Sequence, residues 1–229
     1  RTLLKSGQVS LRETAKAERA HLFLMNRIKS LLAGVEGGND EMELAVQQAA
    51  DIYHGNFSLF QSLPDVWAID QLHPIAPLHR LREKPTRRAV ISDITCDSDG
   101  KIDRFVLGDG VSKTLPVHEL EATCDYYLGV FFVGAYQETL GDLHNLFGDT
   151  NVVTVELQDD GRFELMHEQE GDTVAEVLTY VEYEPRRLVD GFKAIVERAV
   201  HVGAIAPRDR REMIDAFKDS INGYTYFEH

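Results

Sequence analysis

Thr95-Cys96-Asp97-Ser98-Asp99-Gly100 puts a thiol beside two carboxylates in one short stretch. A thiol can give or take a proton, and carboxylates grip an ammonium or guanidinium through charge-assisted hydrogen bonds. A guanidinium in particular matches the two-pronged geometry of a carboxylate. Cys96 is therefore a candidate for proton transfer, and Asp97 and Asp99 are candidates for holding a cation. Asp, Ser and Gly also close hairpins by local hydrogen bonds, and spacing alone favours that plainer role. A calcium loop is excluded. With Asp97, Asp99 and Gly100 at its third, fifth and sixth positions, the twelfth falls on Val106, where a glutamate is required.

A second stretch, Gly134-Ala135-Tyr136-Gln137-Glu138, follows the apolar run Gly129-Val130-Phe131-Phe132-Val133. Small residues at a strand end let a ligand approach the backbone, and the Tyr136 hydroxyl can donate to a phosphate oxygen. A tyrosine on a sheet rim with a wet hydroxyl is the common alternative. Gly141 to Thr150 then carries His144, Asn145 and Asp149 between glycines, as a polar loop able to lie over a site or at a subunit contact. His118-Glu119 and His167-Glu168 lack the second histidine of a zinc helix, and no Gly-x-Ser-x-Gly elbow or phosphate-cradling glycine loop occurs. Trp67 and Phe131-Phe132 read as core.

Three zones must position these residues, and together they predict an α+β chain. The first, 1–54, reads as a helical hairpin. Ser10-Leu11-Arg12-Glu13 has capping-box spacing, and Leu11, Ala15, Leu22, Met25, Ile28 and Leu32 recur near the helical period. Gly34 is the expected stop, and Asn39 or Asp40 the cap of a second helix with Met42, Ala45, Ala49 and Ile52 on its face. The second zone, 55–167, reads as short strands at 66–69, 89–94, 102–106, 129–133 and 152–157, with Asp159-Asp160-Gly161 as a hairpin turn before Phe163. Frequent turns point to an antiparallel sandwich or barrel. Pro74, Pro77 and Pro85 mark an extended connection. The third zone, 168–229, is a helical bundle: Asp172 or Thr173 caps Val174 to Val181, Pro185 opens a helix through Val200 stopped near Gly203, and Pro207 opens another ending at Asn222-Gly223.

A net charge of −14 argues against nucleic acid, which needs clustered Lys and Arg. It suits attraction of a cation, although acidic surfaces mainly keep proteins soluble. Cys96 and Cys124 are too few for a disulfide framework, which points to a reduced, cytoplasmic setting. No apolar run approaches the roughly 18 residues of a membrane span.

In order along the chain, Asn56-Phe57-Ser58-Leu59-Phe60-Gln61-Ser62-Leu63-Pro64-Asp65, Asp93-Ile94-Thr95-Cys96-Asp97-Ser98-Asp99-Gly100, Gly134-Ala135-Tyr136-Gln137-Glu138, His144 to Thr150, Gly171 to Ala175 and Gly223-Tyr224-Thr225-Tyr226 resemble the biosynthetic arginine decarboxylases. The resemblance implies an enzyme that uses pyridoxal phosphate. An N-terminal barrel would hold the cofactor through a lysine, and a C-terminal β-sandwich with helical additions would complete the site, usually in a homodimer or tetramer. Carried over by motif, Cys96 would help protonate the carbon that has lost CO2. Asp97 would hold the cationic end of L-arginine, Asp99 is a secondary candidate for that role, and Tyr136 would bind the cofactor phosphate. Magnesium is implied by the resemblance alone. The expected product is agmatine, on a route to putrescine and spermidine.

The chain opens on Arg1 and holds no stretch that reads as the barrel, so it is expected to be the C-terminal part of a larger enzyme and inactive alone. Competing readings are a decarboxylase of ornithine, lysine or diaminopimelate, and a non-catalytic regulatory or interaction subunit.

Overall fold

Local hydrogen bonds begin the first long helix, Leu11–Leu32. Glu13 Oε2 accepts from the Ser10 amide at 2.8 Å and Ser10 Oγ accepts from the Glu13 amide at 3.3 Å, the reciprocal box read from sequence. Those bonds, the Ser10 amide first, hold the Glu13 carboxyl below its ordinary range. The computed structural model describes residues 2–32, 50–108 and 110–228. The expected stop at Gly34 and the second helix through Met42, Ala45 and Ala49 lie outside the described residues. Ile52 does not belong to a helix: it sits in strand β1, Asp51–His54.

The chain divides into two units. The first comprises Arg1–Tyr53, Pro74–Ile91 and Ile102–Phe131; the second comprises His54–His73, Ser92–Lys101 and Phe132–His229. The strands of the first are β2, Ile75–Pro77, β3, Arg87–Ser92, β4, Lys101–Ile102, β5, Phe105–Leu107, β6, Gly110–Ser112, β7, Leu115–Val117, and β8, Leu128–Val130, with the last residue of β3 and the first of β4 counted in the second unit. One sheet runs β1-β3-β4 with β7 also on β3, while β2–β8 and β5–β6 are separate pairs. The β3–β7 pair is antiparallel, Arg87 opposite Val117 and Ala89 opposite Leu115. Ala89, Ile91, Ile102, Phe105, Leu115 and Val117 are buried. The α+β class stands. Among the described residues the strands do not close into a barrel. Pro77 ends β2, at a position where a missing donor costs no central ladder bond.

The second unit corrects one expected strand. Residues 66–69 fall in and beside a helix, Pro64–Ala68. Pro64 fixes φ at the first helical position, and Asp65 exchanges two bonds with Gln137: its amide donates to Oε1 at 3.1 Å and its Oδ2 accepts from Nε2 at 2.6 Å. Trp67 is half exposed, edge-on to Phe60, and Phe132 is 88% exposed, so neither is core.

Leu59–Ser62 forms the preceding helical turn, capped by Ser58. Strands β9, Val152–Leu157, and β10, Phe163–Gln169, make the expected hairpin, with Leu157 opposite Phe163 and Val155 opposite Leu165. The Val174–Tyr180 helix has a capping box between Thr173 and Glu176. Pro185–His201 opens on its proline, and Gly203 follows it at φ +73°. The last helix, Arg210–Asn222, starts three residues after Pro207, with Asp209 as its cap. Phe192 stacks on Phe217 at 4.2 Å between the two long helices. The C-terminal segment folds back: Asn56 exchanges two hydrogen bonds with the Phe227 backbone, and the buried Tyr226 hydroxyl donates to Gly148 O at 2.9 Å. Burial first, then Tyr224 and nearby carboxylates, push that hydroxyl well above the ordinary tyrosine range.

Candidate active-site corner

The stretch that carries Cys96 is built around Asp93, only 2% exposed. A buried carboxylate must be satisfied by donors. Leu59 N supplies one to Oδ2 at 2.8 Å, and Thr95 supplies its amide at 2.9 Å and its hydroxyl at 2.8 Å to Oδ1. The chain turns back so that Gly100 O accepts from Asp93 N at 2.8 Å. A Cβ on Gly100 would collide with Asp93 Oδ1 and stand 2.6 Å from Thr95 Oγ1, so any larger residue there forces those side chains to shift. Between these ends Asp97 Oδ1 accepts from Asp99 N at 2.9 Å, the local turn bond that Asp favours. The plainer role weighed for these aspartates is thus real, and it leaves Asp97 Oδ2 on the other side.

That oxygen faces His144. His144 Nε2 lies 3.5 Å from Asp97 Oδ2, and its ring stacks on Phe60 with centroids 4.2 Å apart. The next residue, Asn145, reaches Cys96: its Oδ1 accepts from Cys96 N at 3.1 Å and its Nδ2 donates to Sγ at 3.3 Å. His144 and Asn145 come from one 3-10 turn, His144–Leu146. Asp142 N bonds to Phe60 O at 3.0 Å just before it, and Gly141 packs within 2.7 Å of Gln61 O when given a Cβ. The polar loop expected from sequence therefore meets the thiol and the first carboxylate directly. Cys96 and Asp99 are exposed and Asp97 is half-buried. Asp93, the anchor, and Phe60, the stacking platform, lie in stretches whose residue types alone signal nothing but core and strand end, so the sequence does not single them out.

Tyr136 stands on a separate element, the short Ala135–Thr139 helix that begins after Gly134. Its neighbour Gln137 is buried on Asp65, while Tyr136 is 76% exposed. No hydrogen bond or ring contact joins Tyr136 to the Cys96 corner among the described residues. Among the described residues its hydroxyl makes no hydrogen bond, and a Cβ on Gly134 would meet nothing within 4 Å. A free phenol beside open space fits an approaching anion such as a cofactor phosphate. Further along, burial first, then Asp172 and Glu138, push the Asp149 carboxyl above its ordinary value, against the pull of the Gln61 amide. Among the described residues no group of three or more His, Cys, Asp or Glu is arranged to hold a metal, and no helix is long and apolar enough to cross a membrane.

Residues 174–227 match a family described as the arginine decarboxylase C-terminal helical extension. A biosynthetic arginine decarboxylase of Rhodopirellula baltica is 47% identical over 98% of this chain, which covers 33% of that protein. One from Phocaeicola vulgatus is also 47% identical, over 99% of this chain and 36% of its own length. The crystal structure of the biosynthetic arginine decarboxylase from Campylobacter jejuni superposes with a TM-score of 0.75 at 31% identity, over 99% of this chain and 35% of that one. The chain thus spans about a third of the length of the relatives it matches.

Proposed function

We propose, from the premise that this chain belongs to the biosynthetic arginine decarboxylases and spans their C-terminal region, that it supplies the part of the active site that grips L-arginine and returns the proton. The observation that carries the reading is the Cys96–Asp97 pair, fixed at one corner by Asp93 on one side and by the His144–Leu146 turn on the other. In this reading residues 55–167 act as the β-sandwich part, with 1–54 and 168–229 as helical additions. An N-terminal barrel of the same enzyme holds the cofactor, and the assembly is a cytoplasmic homodimer or tetramer.

The reaction takes L-arginine to agmatine and CO2. Pyridoxal phosphate, when bound, supplies the electron sink that lets the bond to CO2 break. Asp97 offers a carboxylate oxygen to the guanidinium, in competition with His144, and so sets the distance at which the substrate's far end is held. Ornithine, with a shorter side chain, would need that carboxylate nearer. The Cys96 thiol gives its proton to the carbon that CO2 has left. Tyr136 Oη donates to the cofactor phosphate. Asp99, exposed one turn on, is the secondary candidate for the guanidinium. Magnesium has no assigned role among these residues.

The test is CO2 release by the full-length enzyme, supplied with pyridoxal phosphate, from arginine, ornithine, lysine and diaminopimelate. Release from arginine alone is expected. Preference for another substrate overturns the specificity, and no release by the folded enzyme moves the chain to a regulatory or interaction role.

A further inference from the structure

Asn145 meets Cys96 twice, at the backbone amide and at sulfur, although the two residues lie 49 positions apart. It does so from the left-handed region, φ 57° and ψ 22°, where asparagine and glycine are the tolerated residues. Leu146 follows at φ 61°, a conformation that costs energy for a side chain of its size. Two successive non-glycine residues are thus held in this region at the turn that delivers Asn145 to the thiol and His144 to Asp97. A sulfur that accepts a hydrogen bond from an amide N–H keeps its own proton free for a third partner.

We propose that Asn145 is the positioning residue for the proton transfer assigned to Cys96, and the proposal rests on that assignment. The Asn145 amide fixes the backbone of residue 96 through Oδ1 and turns the sulfur through Nδ2, so that the S–H proton is left for the reacting carbon. In the transfer the S–H bond breaks and a C–H bond forms. The electron pair stays on sulfur, facing Nδ2–H, and solvent returns the proton to the thiol.

Three variants of the full-length enzyme with pyridoxal phosphate separate positioning from mere turn geometry. Asn145→Gly keeps a left-handed turn without the amide. Asn145→Asp keeps an acceptor for Cys96 N but offers sulfur no N–H. Asn145→Ala removes both. The expected result is a loss of roughly tenfold in kcat for Asn145→Gly and Asn145→Asp with KM for arginine within about twofold of native. Cys96→Ala combined with Asn145→Gly should be no slower than Cys96→Ala alone, because both act through one sulfur. A readout without turnover is alkylation by iodoacetamide, followed by peptide mass mapping. The rate at Cys96 relative to the also exposed Cys124 should shift by at least about threefold in Asn145→Gly. Native kcat and a native alkylation ratio in Asn145→Gly and Asn145→Asp, beside a slow Cys96→Ala, overturn the proposal and leave the assignment of Cys96 standing. A defect in Asn145→Ala alone reduces Asn145 to a turn former and also overturns it. A fully active Cys96→Ala removes the assignment itself, an outcome visible separately from either.

Discussion

Asp93 is almost wholly shielded from solvent, yet the geometry of the exposed residues beside it depends on it. Its three donors come from Leu59 and Thr95, and Gly100 seals the loop against it, so the placement of Cys96 and Asp97 follows from one buried carboxylate. Gly100→Ala should therefore cost about 1–3 kcal/mol of stability, as overpacking does, and lower kcat by displacing the corner. Denaturant melts and, on the proposed function, arginine turnover of the variant in the full-length enzyme test this, and an unperturbed variant would show that the corner yields freely. Asp149 makes a prediction about pH. Its folded value is raised above the ordinary 3.8, so the folded chain holds this proton after the unfolded chain has released it. The contribution to stability is fully present below 3.8 and is lost as pH rises through the raised value. Asn in its place does not titrate, so Asp149→Asn should shrink the fall in melting temperature between about pH 4 and pH 7. An identical fall in both proteins would mean that other groups set it.

At the scale of elements, the two capping boxes are alike in chemistry and differ in surroundings. The Ser10–Glu13 box starts a helix whose Leu22, Phe23 and Leu24 are exposed, whereas the Thr173–Glu176 box starts one that buries Val177 completely. Thr173→Ala should cost about 1 kcal/mol, with Thr173→Ser retaining most of it. Hydrogen exchange across Val174–Tyr180 would report the difference, and equal protection in both variants would contradict it. At the second helix the sequence leaves the cap between Asp172 and Thr173 and the structure settles on Thr173, whereas the Ser10–Glu13 box is legible in the sequence because its partners lie three residues apart. The β9–β10 hairpin was legible for the same reason, through Asp159-Asp160-Gly161 and the alternation around it. The misread stretch at 66–69 shows where local reading fails: Val, Trp and Ile favour a strand, but Pro64 and the Gln137 pairing of Asp65, 72 positions away, decide for a helix. The site divides likewise. The Cys96–Asp97 motif was visible as a sequence, while the grip of Asn145 on it depends on a contact that no local spacing encodes.

Over the whole molecule, each unit draws on three separate stretches of chain. A protease site inserted after Arg82 in the full-length enzyme would leave both pieces with parts of both units, because residues 54–73 and 74–82 already belong to different ones. The nicked protein should elute intact on gel filtration and part only in denaturant; separation under native conditions would refute it. The interleaving also governs how such a molecule can change by inheritance. Recombination between two relatives at a single point within residues 54–131 hands down each unit as a patchwork of both parents, and a clean exchange of the second unit alone needs replacement of 54–73, 92–101 and 132–229 together. Asp93 and Gly100 sit in the shortest of those stretches and Asn145 in the longest, so a crossover between 101 and 144 joins the thiol of one parent to the turn of the other, and such a hybrid keeps a working corner only when both parents agree on how the two pieces meet.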